Sequence, residues 1–277
     1  MRSQADSLYP HCQIGRHFFK EGISSGRRFI VAYVWLEKYF CTQRLAKDAN
    51  LFMNPVPTES DPEQLQRLYQ ARFERSYAYR RQVWSILCRD YFQRWIPFSA
   101  TVLDLGCGCG EFINQIHAGR KFGMDLNPDS ARFLNPGITH LKQNCSEPWQ
   151  LEPGSLDVIL TSNFFEHLPD KASLGRALDN ARLCLKPGGR LICMGPNIRF
   201  LPANYWDFWD HYLPLSDYSL SEGLETHGLQ VELRVPRFMP YTMARGSQPP
   251  LVFIRAYLAL PFVWRILGKQ FLLIARK

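Results

Sequence analysis

A run of alternating glycines beside an acid is the first segment of the chain whose residue types and spacing indicate chemistry. Residues 104–110 read DLGCGCG, after an apolar stretch typical of a strand and before one typical of a helix. Glycine at alternate positions permits a tight turn and lets the backbone approach a bulky ligand. The helix that follows offers unpaired N–H groups and partial positive charge at its start. These features predict a nucleotide-type ligand at this turn.

Two acids decide between the ligands that such a turn accepts. Asp125 lies 21 residues after Asp104, at the end of the next expected strand, where a carboxylate can accept both hydroxyls of a ribose. A nicotinamide dinucleotide also suits that position, but its loops follow the spacing G-x-G-x-x-G to cradle a pyrophosphate. Here the spacing is G-x-G-x-G, and the Asp104 carboxylate would repel a pyrophosphate. The acid favours a zwitterionic amino-acid ligand, which carries an ammonium group.

Short apolar runs that alternate with helical patterns must position these residues. The alternation predicts a mainly parallel sheet with helices on both faces. The expected strands are 101–105, 121–126, 140–144, 155–162, 188–195, one that ends near 235, and 268–277. The expected helices include 111–118 and about 171–185.

The chain before residue 100 has a different character. Residues 1–60 form a basic and aromatic extension, expected to be helical, that ends in the turn-rich linker NPVPTESDP. Ser60 or Asp61 is expected as the N-cap of a long helix that runs to about Trp95. The expected α/β domain then occupies 61–277, with a cofactor half at about 100–200 and a substrate-side part at about 201–277.

Four stretches of the domain resemble the class I S-adenosylmethionine-dependent methyltransferases. They are VLDLGCGCGEF, GMDLNPD, SLDVILTSNFFEHLPD and LKPGGRLICMGPN, and they stand in that family's order across about residues 80–277. The likeness is greatest to the group of small-molecule and glycan O-methyltransferases. It implies a Rossmann-like sheet of seven strands with the last strand antiparallel, and S-adenosylmethionine as the cofactor.

The resemblance also assigns cofactor-binding roles. Asp104 and the glycines would hold the methionine end, Asp125 the ribose, and Leu126 the adenine, although Leu126 could equally be a core residue. Asn144 stands where the family usually has an aspartate near the adenine amino group, so the backbone of Cys145 is an alternative there. The full expected set is Asp104, Gly106, Cys107, Gly108, Gly110, Asp125, Leu126, Asn144, Cys145 and Asn163.

A hydroxyl that accepts a methyl group benefits from a base, and the candidates follow the fourth and fifth strands. Glu166 and His167 come after the fourth strand, and Asp210 and His211 come after the fifth. His211 is the first candidate and His167 the second, while either histidine could instead only shape the pocket. A dense aromatic group accompanies them, which suits a flat or saccharide acceptor or a hydrophobic lid: Tyr205, Trp206, Phe208, Trp209 and Tyr212.

A metal site is the alternative use of the same residues. Some members of the resembling family bind a divalent ion at E-x-x-E-H, but here Asn163 replaces the first acid. Glu166, His167 and His211 could still supply ligands. We nevertheless expect no metal.

Charge and composition bear on the acceptor and on location. The net charge is +8, and residues 1–100 hold 15 Lys and Arg against 9 Asp and Glu, which keeps an RNA ribose acceptor as an alternative. No N-P-P-Y-type signature follows the fourth strand, which disfavours nucleobase N-methylation. We expect methyl transfer to a hydroxyl of a small molecule or a saccharide in glycan biosynthesis. A nucleic-acid methyltransferase and a non-catalytic S-adenosylmethionine-binding module are the alternatives.

The cysteines and apolar runs indicate a cytoplasmic protein. The eight cysteines show no C-x-x-C spacing, and the N-terminus lacks the apolar core of a secretory signal. The run 251–267 is too short to span a bilayer and contains Arg255, Pro261 and Arg265. We expect it to form a helix on the core, with a weak peripheral membrane contact as the alternative. The sequence leaves the oligomeric state open.

Overall fold

A computed structural model describes residues 76–241 and 248–277, which form a seven-stranded sheet with helices on both faces. The strand order is β3-β2-β1-β4-β5-β7-β6; β1 to β5 pair in parallel, and β7 is antiparallel to β5 and β6. The strands are β1 Thr101–Leu105, β2 Arg120–Met124, β3 Ile138–Leu141, β4 Leu156–Ser162, β5 Leu185–Pro196, β6 Gln230–Val235 and β7 Gln270–Arg276. This arrangement confirms the predicted fold class.

The helices lie between strands, except for the first, which precedes β1. They are α1 Tyr77–Asp90, α2 Ser130–Phe133, α3 Lys171–Cys184, α4 Asp217–Thr226, α5 Leu251–Ala259 and α6 Pro261–Leu267. Single 3₁₀ turns at Phe92–Trp95, Phe165–His167, Ile198–Phe200 and Asn204–Asp207 connect them. The predicted extension over 1–60 and the start of the predicted long helix lie outside the described residues.

The central strands are buried on both faces because alternate side chains point to opposite sides of a strand. In β1, Leu103 and Leu105 belong to one core cluster, which α3 and α4 cover. Val102 belongs to the other cluster, which α1, α5 and α6 cover. The parallel pairing places the carboxyl ends of β1, β2 and β4 at one edge, where the residues predicted to do chemistry follow each strand.

The predicted helix over 111–118 was wrong, because this segment forms a series of turns. The N–H of Asn114 donates to the Gly110 carbonyl at 3.0 Å and that of Ile116 to Phe112 at 3.1 Å, but the pattern does not continue. The chain must reach β2 at Arg120, and both Gly119 and Arg120 already donate to the Ala100 carbonyl. The segment between the glycine turn and β2 therefore contains isolated helical hydrogen bonds but no regular helix.

The apolar run 251–267 forms two helices instead of one. Pro261 is the first residue of α6, where its missing N–H costs nothing, and the same residue prevents α5 from continuing. Tyr257, Leu258 and Trp264 are buried in the core. Within 76–241 and 248–277, no helix has the length and hydropathy that crossing a bilayer requires.

Candidate functional site

The glycine turn after β1 is built from positions that only glycine fills without strain. Gly106, Gly108 and Gly110 have φ values of 75°, 50° and 70°, which lie in the left-handed region. A Cβ on Gly106 would also lie 2.3 Å from the Phe164 ring. The turn is therefore fixed by its own backbone and by the loop after β4.

Asp125 connects the glycine turn to the end of β2. Its Oδ2 accepts the Gly108 N–H at 2.8 Å, and its Oδ1 accepts the Asn127 N–H at 2.8 Å. Burial raises the pKa of Asp125, and these two backbone donors oppose the rise. A carboxylate can accept about four hydrogen bonds, so each oxygen keeps capacity for a ligand hydroxyl.

Negative charge is concentrated beside the turn. Asp104 and Glu111 are buried and both line one cleft. Burial raises the pKa of Asp104 well above its usual range, and the nearby Glu111 adds to the rise. An ammonium group would offset this repulsion, which fits the amino-acid end of S-adenosylmethionine.

Arg80 of α1 is a cleft residue that the sequence analysis missed. Its Nη2 lies 2.8 Å from Glu111 Oε1, and it lines the cleft together with Trp84 of the same helix. A guanidinium there is suited to a ligand carboxylate. No sequence signal separated Arg80 from the other arginines of the helix, because only the packing of α1 brings it to the turn.

The cleft brings together eight of the predicted site residues. Its empty space is about 1150 Å³, including the part open to solvent. The predicted residues that line it are Asp104, Gly106, Cys107, Gly108, Asn163, Glu166, His167 and His211. The apolar lining consists of Trp84, Leu87, Phe112, Met194, Phe208 and Met239, among others.

The other predicted site residues lie around the cleft without lining it. Gly110 belongs to the turn, and Leu126 is 37% exposed beside Asp125. Asn144 Oδ1 accepts the Ser146 N–H at 2.9 Å, so this side chain stabilises its own turn. The Cys145 carbonyl accepts from Trp149 Nε1 at 2.9 Å and from Asn180 Nδ2 at 3.1 Å. Leu126, Asn144 and Cys145 remain predictions for the adenine side, and Gly110 remains one for the methionine end.

Asn163 directs an amide into the cleft from the residue after β4. It has a φ of 50°, which asparagine tolerates better than most residues. Its N–H donates to the Met194 carbonyl at 2.9 Å, and its Nδ2 donates to Ser162 Oγ at 3.1 Å. Its Oδ1 is buried and has no hydrogen-bond partner among the described residues. A ligand donor would satisfy this oxygen.

His167 is oriented by Asp210. Its Nδ1 lies 2.7 Å from the Asp210 carbonyl oxygen and 3.3 Å from Asp210 Oδ2. A carbonyl oxygen only accepts, so Nδ1 carries a proton and the neutral ring offers Nε2 as its acceptor. This Nε2 lies 4.0 Å from Glu166 Oε1. The ring is therefore prepared to take a proton on the cleft side of the loop.

Glu166 and His211 complete this group. Burial raises the pKa of Glu166 to about 7, while the charge of His167 opposes the rise. The Glu166 carbonyl accepts the N–H groups of Tyr212 and Leu213 at 2.9 and 3.0 Å, which holds the segment after β5 against the loop after β4. The His211 ring centroid lies 5.0 Å from that of His167.

The predicted aromatic group divides into a buried and an exposed part. Tyr205 is fully buried and donates its hydroxyl to the Leu213 carbonyl. Phe208 stacks on the His211 ring with centroids 4.9 Å apart. Trp206, Trp209 and Tyr212 are exposed. Only Phe208 of the five lines the cleft.

The same three residues that could bind a metal are close together in space. One donor atom each from Glu166, His167 and His211 lies within 4.8 Å of the others. Imidazole and carboxylate donors suit several divalent ions. Ligands of one ion at about 2.1 Å would stand closer together than this, so the side chains would have to move to bind it. The expectation of no metal stays a prediction.

Comparisons with known proteins agree with this geometry. The curated relatives include a 2-methyl-6-phytyl-1,4-hydroquinone methyltransferase from Synechocystis, 29% identical over 154 residues that cover 48% of each chain. They also include a ubiquinone biosynthesis O-methyltransferase from Sodalis glossinidius, 34% identical over 103 residues that cover 34% of this chain and 40% of the relative. The matches thus span less than half of these two relatives.

A solved structure shows the same fold. It is a SAM-dependent methyltransferase from Archaeoglobus fulgidus, with a TM-score of 0.56 and 22% identity, covering 74% of this chain and 99% of that one. A family model described as a methyltransferase domain matches residues 63–233, which include the glycine turn, Asp125 and the loops after β4 and β5. Since this match covers more than half of the chain, the protein belongs to the methyltransferase-domain family, and S-adenosylmethionine is its expected cofactor.

Proposed function

We propose that this protein transfers the methyl group of S-adenosylmethionine to a hydroxyl of a small molecule. One observation carries the proposal: an oriented histidine and an acid-rich glycine turn line the same cleft. When bound, S-adenosylmethionine supplies an electrophilic methyl group on a sulfonium. The task of the protein is then to align the acceptor, to exclude water and to take the hydroxyl proton.

We propose His167 as the proton acceptor, although the sequence analysis named His211 as the first candidate. Its Nε2 accepts the proton, and the Asp210 carbonyl and carboxylate at 2.7 and 3.3 Å stabilise the imidazolium that forms. His211 is packed between the rings of Tyr205 and Phe208, each with centroids 4.9 Å away. That packing suits a residue that positions the His167 ring.

The lining of the cleft favours an aromatic acceptor over a saccharide. The apolar surfaces of Trp84, Phe112, Phe208 and Met239 face this space, and an aromatic ring buries well against such residues. One of the relatives is named as a hydroquinone methyltransferase and another as an O-methyltransferase of ubiquinone biosynthesis. A saccharide hydroxyl stays the second candidate, since His167 and Asn163 could also hydrogen-bond to a sugar.

The experiment has two stages. Calorimetry first measures binding of S-adenosylmethionine and S-adenosylhomocysteine, with NADH as the competing ligand. Mass spectrometry then follows the gain of one methyl group with hydroquinones and catechols, with simple saccharides, and with RNA. Binding followed by methylation of the ring hydroxyls supports the proposal. Binding with methylation of sugar or RNA alone would exclude the aromatic acceptor, and binding of NADH alone would exclude the cofactor.

A further inference from the structure

The helices α5 and α6 expose an apolar surface that the core does not use. Five large apolar side chains of this segment are between 43% and 66% exposed: Val252 and Phe253 of α5, Leu260 between the two helices, and Phe262 and Ile266 of α6. In α6, Phe262 and Ile266 are one turn apart and lie opposite the buried Trp264, and Tyr257 and Leu258 of α5 belong to the core. We call these five exposed residues, with Leu267, the α5–α6 surface. Clusters of exposed large apolar side chains mark interaction sites.

The chain segment that contains this surface has basic but no acidic residues, although Glu232, just before it, pairs with Arg276. Residues 233–277 contain eight Lys and Arg and no Asp or Glu: Arg234, Arg237, Arg245, Arg255, Arg265, Lys269, Arg276 and Lys277. Arg265 lies on α6 between Phe262 and Ile266 in sequence and is exposed. Arg255 is exposed as well, although it lies 3.4 Å from Asp90. Basic and apolar side chains are therefore interleaved on the α5–α6 surface.

A second group of arginines extends the basic surface beyond the end of α6. Arg237 donates to the carbonyls of Ile266 and Gly268, so its guanidinium lies at that end. It stands 4.8 Å from the Phe200 ring, and Arg199 stands 5.4 Å from the same ring. Arg199 in turn pairs with the buried Asp217 at 2.9 Å. This pairing offsets only part of the positive charge.

We propose that the α5–α6 surface docks on an anionic phospholipid bilayer. Its apolar side chains would enter the boundary between headgroups and acyl chains, and the basic side chains would meet the lipid phosphates, as in interfacial amphipathic helices. A second copy of the chain is disfavoured as the occupant, because two such surfaces face to face would bring like charges together. Residues 1–75 of this chain carry 11 Lys and Arg against 8 Asp and Glu. They are disfavoured as the occupant for the same reason, because their net charge is also positive.

The segment that follows α6 connects the α5–α6 surface to the wall of the cleft. The N–H groups of Lys269 and Gln270, just after α6, donate to the Met239 carbonyl at 2.8 and 2.9 Å. Met239 and Gln270 both line the cleft. Docking would thus bring the cleft wall to the lipid surface, where a lipophilic ring acceptor dissolves. This last step rests on the proposed function, whereas the docking itself does not.

The test measures co-sedimentation of the full-length protein with unilamellar vesicles. Vesicles of phosphatidylcholine alone are compared with vesicles that also contain phosphatidylglycerol, at low and at high salt. We expect binding to the anionic vesicles at low salt and weak binding to the neutral ones. The double variant Phe253→Ser/Phe262→Ser should lose about tenfold or more in affinity. Arg265→Gln/Lys269→Gln should lose roughly tenfold on anionic vesicles only.

Matched controls separate docking from general effects of exposed residues. Phe98 is 71% exposed but lies outside the α5–α6 surface, so Phe98→Ser should bind vesicles like the wild type. Lys171→Gln is the corresponding control for charge. Thermal melting and S-adenosylhomocysteine binding show that each variant is folded.

Three results would overturn the docking proposal. In the first, the wild type fails to bind anionic vesicles. In the second, the Phe253/Phe262 variant binds them as well as Phe98→Ser does. In the third, the variant would turn a dimer into a monomer in light scattering while the wild type ignored vesicles, which would identify the surface as a contact between copies. Vesicle binding without S-adenosylmethionine binding would instead refute only the proposed function.

Discussion

The buried carboxyl of Glu166 gives a pH dependence that can be calculated. Burial raises the pKa of this carboxyl from 4.5 to about 7 in the folded protein. The native state therefore binds a proton more tightly than the unfolded chain does, and the free energy of unfolding falls as the pH rises. This contribution is complete below about pH 4.5 and is lost as the pH rises through about 7. Between about pH 5.5 and 8.5 it amounts to about 2 kcal/mol.

The substitution Glu166→Gln removes this titration while it keeps the size of the side chain. Urea unfolding of the wild type and the variant at the two pH values gives four free energies. From the lower to the higher pH, the free energy of unfolding of the wild type should fall by about 2 kcal/mol more than that of the variant. The exposed Glu225, changed to Gln, is the matched control and should leave the pH dependence unaltered.

The comparison of variant and wild type is needed because other groups contribute to the pH dependence. Asp104 and Asp125 also have raised pKa values owing to burial, so the wild-type slope alone reports several carboxyls. Equal pH dependence in wild type and Glu166→Gln would refute the argument that burial keeps Glu166 protonated. A bound divalent ion would produce the same equality, and repeating the measurement with a chelator distinguishes the two causes.

Other substitutions test the remaining parts of the site. Gly106→Ala should lower S-adenosylhomocysteine affinity at least about tenfold in calorimetry, because alanine is strained at a φ of 75° and its methyl group would clash with the Phe164 ring. Gly137→Ala is the control for backbone strain alone, since Gly137 has a φ of 87° and open space around it. Asp125→Asn should lower the same affinity about tenfold, since the NH2 group that replaces one carboxylate oxygen cannot accept a hydrogen bond, and unchanged affinity would remove the ribose role. His167→Gln should reduce kcat by about 10² to 10⁴ without weakening cofactor binding, whereas a larger loss for His211→Gln would reverse the proposed roles. Exhaustive chelation should leave kcat unchanged, and a loss that Mg²⁺ or Mn²⁺ restores would establish a metal site.

The sequence predicted the strands and the glycine turn of the cofactor half because these features are encoded locally. The glycine turn needs left-handed backbone at three positions, and glycine marks such positions in the sequence. The position of Asp125 at the end of β2 was predicted from its distance in sequence to the glycine turn. The prediction of a helix over 111–118 was wrong. The residue pattern of this segment carries no information on the hydrogen bonds that connect Gly119 and Arg120 to Ala100.

The acceptor half depends on contacts between distant segments, so the sequence predicted its members but not their arrangement. Glu166 and His167 follow β4, and Asp210 and His211 follow β5, which placed all four at one sheet edge. Which histidine has an oriented ring depends on a carbonyl 43 residues away in sequence. Arg80 is in the cleft only because α1 packs on the second core cluster. No periodicity encodes such a contact.

The geometry of the two halves explains why one cleft can serve two ligands of opposite character. The side near the glycine turn is polar and rich in acids, with Arg80 as a cation beside Glu111, and it suits a zwitterion. The side near Phe208 and Met239 is more apolar, and its polar side chains are those of His167 and its neighbours and of Tyr241 and Gln270. A hydroxyl that enters along the apolar wall would find its proton acceptor in His167, because the Asp210 carbonyl fixes the tautomer in advance. The proton of that hydroxyl would then move to Nε2 of His167, while Nδ1 keeps its own proton in the hydrogen bond to the Asp210 carbonyl.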